Sequence, residues 1–106
     1  MSMTNIQCKG YTLRITGHAG YAPAGQDIVC AAVTILSYAL GGMLLRAESE
    51  GLLRAEPVVD MQPGDITIAC APKHERVVRA MWDTALLGMQ MVAREYPQNV
   101  RFAREQ

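Results

Sequence analysis

Apolar and polar residues alternate with a period of two through the first part of the chain, as they do in half-buried strands. The alternation is interrupted at Lys9 and Gly10, which supply a two-residue turn. The pattern therefore predicts a hairpin with strands at Met3–Cys8 and Tyr11–Thr16. We expect one face of the second strand to point inward, and that face carries Tyr11, Leu13 and Ile15.

A long apolar run then predicts the first helix, over Ile28–Glu50. The run is hydrophobic on all sides, which is typical of a helix that is covered on more than one side. Its length and composition approach those of a membrane-spanning helix. Small and polar residues interrupt it, among them Gly41 and Gly42, so we interpret it as a buried helix. The two glycines either bend the helix or allow another helix to pack closely.

Two further strands follow, and a proline marks the first of them. Leu53–Met61 is rich in apolar residues but contains Pro57, which cannot donate a ladder hydrogen bond. This combination predicts a strand at the edge of a sheet or a strand with a bulge. Residues 62–65 have the composition of a turn. Ile66–Cys70 then alternates again, which predicts a strand with Cys70 in the core.

The last third of the chain predicts an amphipathic helix over His74–Tyr96 and a final strand over Asn99–Ala103. Pro97 ends the helix because it cannot continue the hydrogen-bond ladder. Apolar residues recur at helical spacing through the helix at Val77, Val78, Met81, Trp82, Ala85, Leu86, Met89, Val92, Ala93 and Tyr96. His74 lies at the exposed start of this helix, and we assign it no chemical role.

The order of elements is therefore ββαββαβ. This order predicts an α+β fold, with two helices packed against a mostly antiparallel sheet of about five strands. With 106 residues and a mass of 11.6 kDa, the chain has the length of one domain, and we expect residues 1–106 to form it. The small sheet and the apolar first helix both need cover, so we expect a homodimer.

The balance of charge and the cysteine count limit the possible functions. Ten basic residues match ten acidic ones, so the chain lacks the electrostatic footprint of a protein that binds nucleic acid or an anionic membrane. Three cysteines without a C-x-x-C pair argue against a disulfide framework and for a reducing cytoplasm. We expect no metal, because the paired spacing of a zinc site is missing from Cys8, His18, Cys30 and Cys70.

The residues most capable of chemistry are concentrated between Gly17 and Thr34. Asp27 directly precedes the apolar run and is a good helix N-cap, which places Cys30 in the first turn of the helix. The positive end of the helix dipole and the unpaired N–H groups favour the thiolate form of a thiol at this position. His18 follows the second strand, which can deliver it to the start of the helix. A cysteine and a histidine brought together in this way are typical of thiol catalysis.

Each of these residues also has an ordinary structural interpretation. A lone cysteine on an apolar helix is usually core filling, and a lone histidine after a strand is usually a turn residue. The surrounding glycines favour chemistry, because they let the backbone approach a ligand closely at Gly17, Gly20 and Gly25. The bend over residues 19–26 contains a proline and is not helical. It is either a plain connection or a lid, with Tyr21 as its only large side chain.

The motif GHAGYA, followed after a short bend by G-x-DIVCAAV, closely resembles the signature of the Prp family of ribosomal-processing cysteine proteases. The resemblance is densest over residues 15–34 and includes a YP pair before a short apolar strand near the end of the chain. It implies that His18 and Cys30 form a catalytic dyad with Asp27 as a supporting acid. It also implies a mobile loop that contains Gly17, Gly20, Tyr21 and Gly25. Thr34 stands where the family usually has Ser, and it retains a hydroxyl one turn beyond the thiol.

By the same resemblance, the chain would be a cytoplasmic, homodimeric endopeptidase that removes the N-terminal extension of a large-subunit ribosomal protein. It would need no cofactor, and it would bind neither nucleic acid nor a membrane directly. The residues alone leave a second function open, a non-catalytic module that binds an anion or a peptide at the bend and the helix N-terminus. No G-x-x-x-x-G-K-[ST] motif supports phosphate binding. A single hyper-reactive cysteine at position 30 would distinguish the protease from the module.

Overall fold

Two hairpins and a final strand build one sheet, and two long helices pack on it. The computed structural model describes residues 3–23 and 25–105. The elements, in chain order, are β1 (Thr4–Lys9), β2 (Thr12–Thr16), α1 (Ile28–Ser49), β3 (Val58–Gln62), β4 (Asp65–Ala69), α2 (Glu75–Glu95) and β5 (Val100–Glu105). The order ββαββαβ, the two helices and the α+β class are confirmed.

The sheet is mostly antiparallel, with the strand order β3-β4-β2-β1-β5. Only β5 pairs in parallel, against β1. The central ladders bring apolar residues opposite one another, as in the pairs Ile6↔Ile15 and Leu13↔Ile68. All four of these residues are buried. Because side chains alternate along a strand, the helices cover this face and leave polar residues such as Arg14 on the other.

Helix α1 buries one stripe and leaves the rest of its surface open. The stripe consists of Val29, Val33, Ser37, Leu40, Gly41, Leu44 and Ala47. Ile28, Ile35 and Tyr38 remain 56%, 63% and 58% exposed. The expected cover on more than one side is therefore absent from the described part of this chain. The length and composition of α1 would allow it to cross a membrane, but the core helix of a soluble protein can have the same length and composition. The buried stripe of α1 packs as such a core helix does.

Two glycines of the helices mark close approaches. A Cβ at Gly41 would lie 2.7 Å from Cγ1 of Val59, so this glycine admits the edge strand β3 rather than another helix. A Cβ at Gly88 would lie 2.8 Å from Cδ2 of Leu36, which brings α2 close to α1. Gly42 has open space around it and makes no close approach.

The structure corrects some boundaries and two core assignments. The strand expected over Leu53–Met61 begins only at Val58, because Pro57 lacks the N–H that a ladder requires. Its place at the edge of the sheet is confirmed. Val77 does not belong to the buried face of α2, since it is 47% exposed while its neighbour Val78 is fully buried. Cys70 lies just beyond β4 and packs against the core only in part.

Candidate active site

Asp27 caps helix α1, as the sequence predicts. Its backbone is extended, and its Oδ1 accepts a hydrogen bond of 2.8 Å from the backbone N–H of Cys30. The backbone carbonyl of Asp27 accepts the next N–H, that of Ala31, at 3.0 Å. Cys30 is therefore held in the first turn of the helix, and it is partly buried there. The cap fixes where the helix begins and thereby the position of Cys30 on it.

The second carboxylate oxygen of Asp27 ties the bend to the helix. Oδ2 accepts a hydrogen bond of 3.1 Å from the backbone N–H of Tyr21. Burial alone would raise the pKa of the Asp27 carboxyl, but backbone hydrogen bonds from Cys30, Tyr21, Ala22 and Val29 outweigh it and lower the pKa. Both oxygens therefore accept hydrogen bonds from backbone N–H groups. Within the residues the structure describes, Asp27 forms no ion pair with His18.

His18 leaves the sheet directly after β2 and lies against the β3–β4 turn. Gly17 makes this exit possible: its φ is +86°, and a Cβ there would collide with the backbone oxygen of Met3. The N–H of Gly17 donates to the backbone oxygen of Gly64 in that turn, at 2.9 Å. The side chain of His18 is exposed and contacts Gly64. The histidine is thus presented at the surface rather than in the core.

The first half of the bend is attached to the end of α2. Ala19 is fully buried, and its carbonyl accepts a hydrogen bond of 3.0 Å from Nδ2 of Asn99. The ring of Tyr21 meets that of Tyr96 edge to face, with centroids 5.4 Å apart. The sequence predicts Asn99 only as the start of the last strand, and no local signal marks this side-chain bond, because its partner lies 80 positions away. Gly25 and Gln26, in the second half of the bend, are exposed.

A groove of about 850 Å³ collects most of the predicted site residues. Its lining includes His18, Gly20, Gly25, Asp27, Cys30 and Thr34. A small cavity of about 30 Å³ lies beside them, and Gly17, His18, Cys30, Thr34 and Gly64 line it. Tyr21 is absent from both linings and packs on Tyr96 instead. The histidine, the thiol and the threonine hydroxyl therefore share one groove at the capped end of α1.

The other two cysteines have structural surroundings. Cys8 is buried, and its Sγ donates to the carbonyl of Gly10 at 3.5 Å. Burial raises the pKa of the Cys70 thiol to about 11, which keeps it protonated at neutral pH. Within residues 3–23 and 25–105 there is no group of three or more His, Cys, Asp or Glu side chains suited to a metal ion. Cys30 is thus the cysteine that combines a helix start with a histidine in the same groove.

Comparison with known proteins adds the following findings. A family model described as cysteine protease Prp matches residues 2–101. The fold is similar to that of an essential ribosomal processing protease Prp from S. aureus, solved in complex with a covalently linked product peptide, with a TM-score of 0.74 and 22% identity over 99% of this chain and 100% of that one. The structure of that protease with a substrate peptide gives a TM-score of 0.67, with the same identity and coverage.

A third similar structure is that of the protein SMU.848 from Streptococcus mutans, with a TM-score of 0.64 and 26% identity over 99% of this chain and 94% of that one. No curated protein matches this chain. Because the S. aureus structures are only 22% identical to this chain, they show a shared fold. The family assignment rests on the family model, which covers nearly the whole chain.

Proposed function

The chain belongs to the Prp family of cysteine proteases, and from this premise we propose that Cys30 is its nucleophile and His18 its general base and acid. One observation carries the proposal: both side chains line the same groove at the capped start of α1. The raised pKa of Cys70 and the burial of Cys8 make the other thiols poor nucleophiles. Thr34 lines the groove beside the pair and supports it with a hydroxyl.

The reaction proceeds through an acyl-enzyme. His18 takes the proton of the Cys30 thiol, and the thiolate attacks the carbonyl carbon of the scissile peptide bond. The tetrahedral intermediate then collapses, and His18 gives its proton to the leaving amine. A water molecule, deprotonated by His18, attacks the thioester and releases the new carboxylate and the free thiol. Each of the two additions to the carbonyl carbon is thus followed by loss of a leaving group, first the amine and then the thiol, and neither step needs a cofactor.

The donors that stabilise the oxyanion are, in this proposal, backbone N–H groups of the bend. The first turn of α1 is less suited to this role, because the N–H of Cys30 donates to Oδ1 of Asp27 and that of Ala31 donates to its carbonyl. Gly20 and Gly25 both line the groove, and their backbone can approach a substrate closely. Movement of the second half of the bend would bring these groups onto the substrate.

The substrate that we propose is the N-terminal extension of a large-subunit ribosomal protein, cut in the cytoplasm. The S. aureus structures of the same fold are those of a ribosomal processing protease with peptides bound. The groove in this chain supports an apolar peptide, because Ile28, Ala31, Ile35 and Tyr38 of α1 line it. The even balance of ten basic and ten acidic residues is consistent with a protein substrate met before it joins ribosomal RNA.

A homodimer is also part of the proposal. The apolar surface of α1 extends beyond the groove to Leu45, which is 51% exposed. An apolar patch of this kind is typical of an interface between chains. Sedimentation that gives the mass of a single chain at micromolar concentration would contradict the dimer.

The alternative anion-binding module receives no support from the site. An anion would occupy the N-terminus of α1, where the carboxylate of Asp27 already accepts a hydrogen bond from the N–H of Cys30. A second negative charge at this position would be repelled by the first.

The decisive test is cleavage of the ribosomal protein precursor encoded in the same genome. We expect the parent chain to remove the extension. The rate of cleavage by Cys30→Ala and by His18→Ala should be lower by a factor of at least about 10³. Cys70→Ala is the matched control and should cleave at the parent rate. Substantial cleavage by Cys30→Ala, or equal loss in Cys70→Ala, would exclude the proposed dyad. A parent chain without activity on the precursor would exclude the substrate.

A further inference from the structure

The β3–β4 turn lies directly against the imidazole of His18. Gly64 in this turn has a φ of +71°, and a Cβ built on it would lie 2.8 Å from Nε2 and 3.1 Å from Cε1 of His18. A real Cβ essentially never lies as close as 2.8 Å to such an atom, so the ring occupies the space that a side chain at position 64 would need. The ring therefore rests on the bare backbone of the turn.

The turn is fixed relative to the strand that delivers the histidine. The carbonyl of Gly64 accepts the N–H of Gly17 at 2.9 Å, one residue before His18. Thr16 and Asp65 are direct partners in the β2–β4 ladder. Sheet hydrogen bonds thus hold both the turn and the start of the bend, so the turn is a rigid surface for the ring. Such a surface limits the positions that an imidazole in contact with it can take.

Gly64 also borders a small cavity that both His18 and Cys30 line. The small cavity that His18, Cys30 and Gly64 share has a volume of only about 30 Å³. This volume is on the order of that of one water molecule. A methyl group on position 64 cannot be added without moving a neighbour, and the neighbour that can move is the exposed side chain of His18. The displacement would change where the ring stands relative to the thiol.

We propose that Gly64 is a positioning residue of the active site, whose missing side chain sets the place of the His18 imidazole relative to Cys30. This inference rests on the proposed function, since it takes His18 to be the base. In this role Gly64 has no side chain that reaches the substrate and takes no part in making or breaking bonds. It acts through the histidine alone, from an element that the motif around Cys30 does not include.

The chain contains matched controls for the test. Gly51, with a φ of +75°, and Gly10, with a φ of +57°, share the left-handed backbone of Gly64, yet a Cβ at either position would have no atom within 4 Å. Gly51 follows the C-terminal end of α1, so the 22 residues of the helix, roughly 33 Å, separate it from the site. Alanine at all three positions introduces comparable backbone strain, and only Gly64→Ala adds the contact with His18.

We expect Gly64→Ala to lower kcat by about 30- to 100-fold with little change in KM, because a small misplacement of a catalytic group has an effect of this size. Gly51→Ala and Gly10→Ala should keep the parent kcat at comparable loss of thermal stability. A kcat for Gly64→Ala equal to that of the two controls would overturn the proposal. If Gly64→Ala fails to fold, Gly64→Asn takes its place, since asparagine tolerates positive φ while still carrying a Cβ.

A second measurement is independent of the protease assay. The imidazole resonances of His18 in nuclear magnetic resonance spectra should shift in Gly64→Ala and stay unchanged in Gly51→Ala. Unchanged His18 resonances in Gly64→Ala would overturn the proposal even if activity fell. If the His18 resonances shift in Gly64→Ala but the parent chain cleaves no substrate, the positioning is real and the proposed function has failed.

Discussion

The two helices have almost the same length, 22 and 21 residues, but they differ in what they expose. Helix α1 carries no charged residue before Arg46, whereas α2 carries charges from its first residue, Glu75, to its last, Glu95. Both helices contact each other through one apolar stripe. The open side of α1 is therefore an uncharged apolar surface suited to binding, whereas the open side of α2 mixes charged residues with apolar ones such as Leu87 and Met91.

Their N-termini differ in the same sense. Asp27 caps α1 through its side chain, whereas His74, at the corresponding position of α2, makes no side-chain capping bond. The best-packed residues of α2 lie in its middle, where Trp82, Leu86 and Met89 are fully buried. Helix α2 therefore contributes mainly to stability, while α1 contributes a capped N-terminus that holds Cys30 and an exposed apolar face. The comparison predicts that substitutions in the two helices will separate stability from activity.

The largest effect on stability is expected at Trp82. Its ring is fully buried and meets the ring of Tyr11 edge to face, with centroids 5.5 Å apart. Trp82→Ala should lower the free energy of unfolding by about 3–5 kcal/mol, because it removes a large buried side chain and leaves a cavity. The fraction that remains folded should cleave at the parent rate. Urea unfolding and cleavage at low temperature measure the two quantities, and a selective loss of activity would break the division between the helices.

How far the sequence predicts the structure depends on the distance between partners along the chain. Asp27 and Cys30 are three residues apart, so a local capping rule was sufficient to place the thiol in the first turn. The bond between Asn99 and Ala19 and the contact between Gly64 and His18 join distant segments. Only the topology of the sheet brings these segments together, and a single sequence carries no sign of it.

The limits of the sequence are also visible in β3 and on α1. Apolar residues at Leu53 and Val58 extended the predicted strand, but Leu53 is buried through an isolated bridge to Pro72 instead. The apolar circumference of α1 predicted cover on more than one side, but within the described residues one stripe is buried, and the pattern did not tell which residues the rest of the chain would leave exposed. Hydrophobicity reports that a residue avoids water and not which neighbour shields it.

An intermediate effect is expected at Asp27, where the cap and the bend share one carboxylate. Asp27→Ala should lower the free energy of unfolding by about 1 kcal/mol, because the N–H of Cys30 loses its partner. Asp27→Ser retains a cap for Cys30 but cannot also accept the N–H of Tyr21. We expect the serine variant to be nearly as stable as the parent, with a lower kcat and with faster hydrogen exchange at the Tyr21 amide. If Asp27→Ser cleaves at the same rate as the parent from pH 6 to 8, Asp27 acts only as a helix cap.

The same carboxylate predicts a dependence of stability on pH. Its pKa is lower in the folded chain than the ordinary 3.8, so the unfolded chain binds its proton first as the pH falls. The contribution to stability is therefore complete above pH 3.8 and is lost as the pH falls through the lower folded pKa. Unfolding measured from pH 7 to pH 3 should show this loss in the parent and not in Asp27→Ser.

The smallest effect on stability, and the sharpest contrast between the helices, is expected at Tyr38 of α1 and Met91 of α2. Both side chains are 58% exposed, so alanine at either position should change the free energy of unfolding by no more than about 0.5 kcal/mol. Tyr38 lines the groove, and Met91 is absent from its lining. Tyr38→Ala should therefore raise KM for an apolar peptide several-fold, whereas Met91→Ala should leave it unchanged.

Sedimentation of both variants distinguishes a lost substrate contact from a lost chain contact. If Tyr38 binds substrate directly, KM rises while the mass in solution stays that of the parent, because the dimer that we propose would be held by the part of α1 beyond the groove. If Tyr38→Ala is instead a monomer under conditions in which the parent is a dimer, the rise in KM follows from the loss of the dimer. The exposed face of α1 would then bind mainly the second chain. Equal KM values in Tyr38→Ala and Met91→Ala would show that Tyr38 has no role in binding the peptide, and the contrast between the two helices would then rest on the capped end that holds Cys30 and on the other apolar residues of α1 that line the groove.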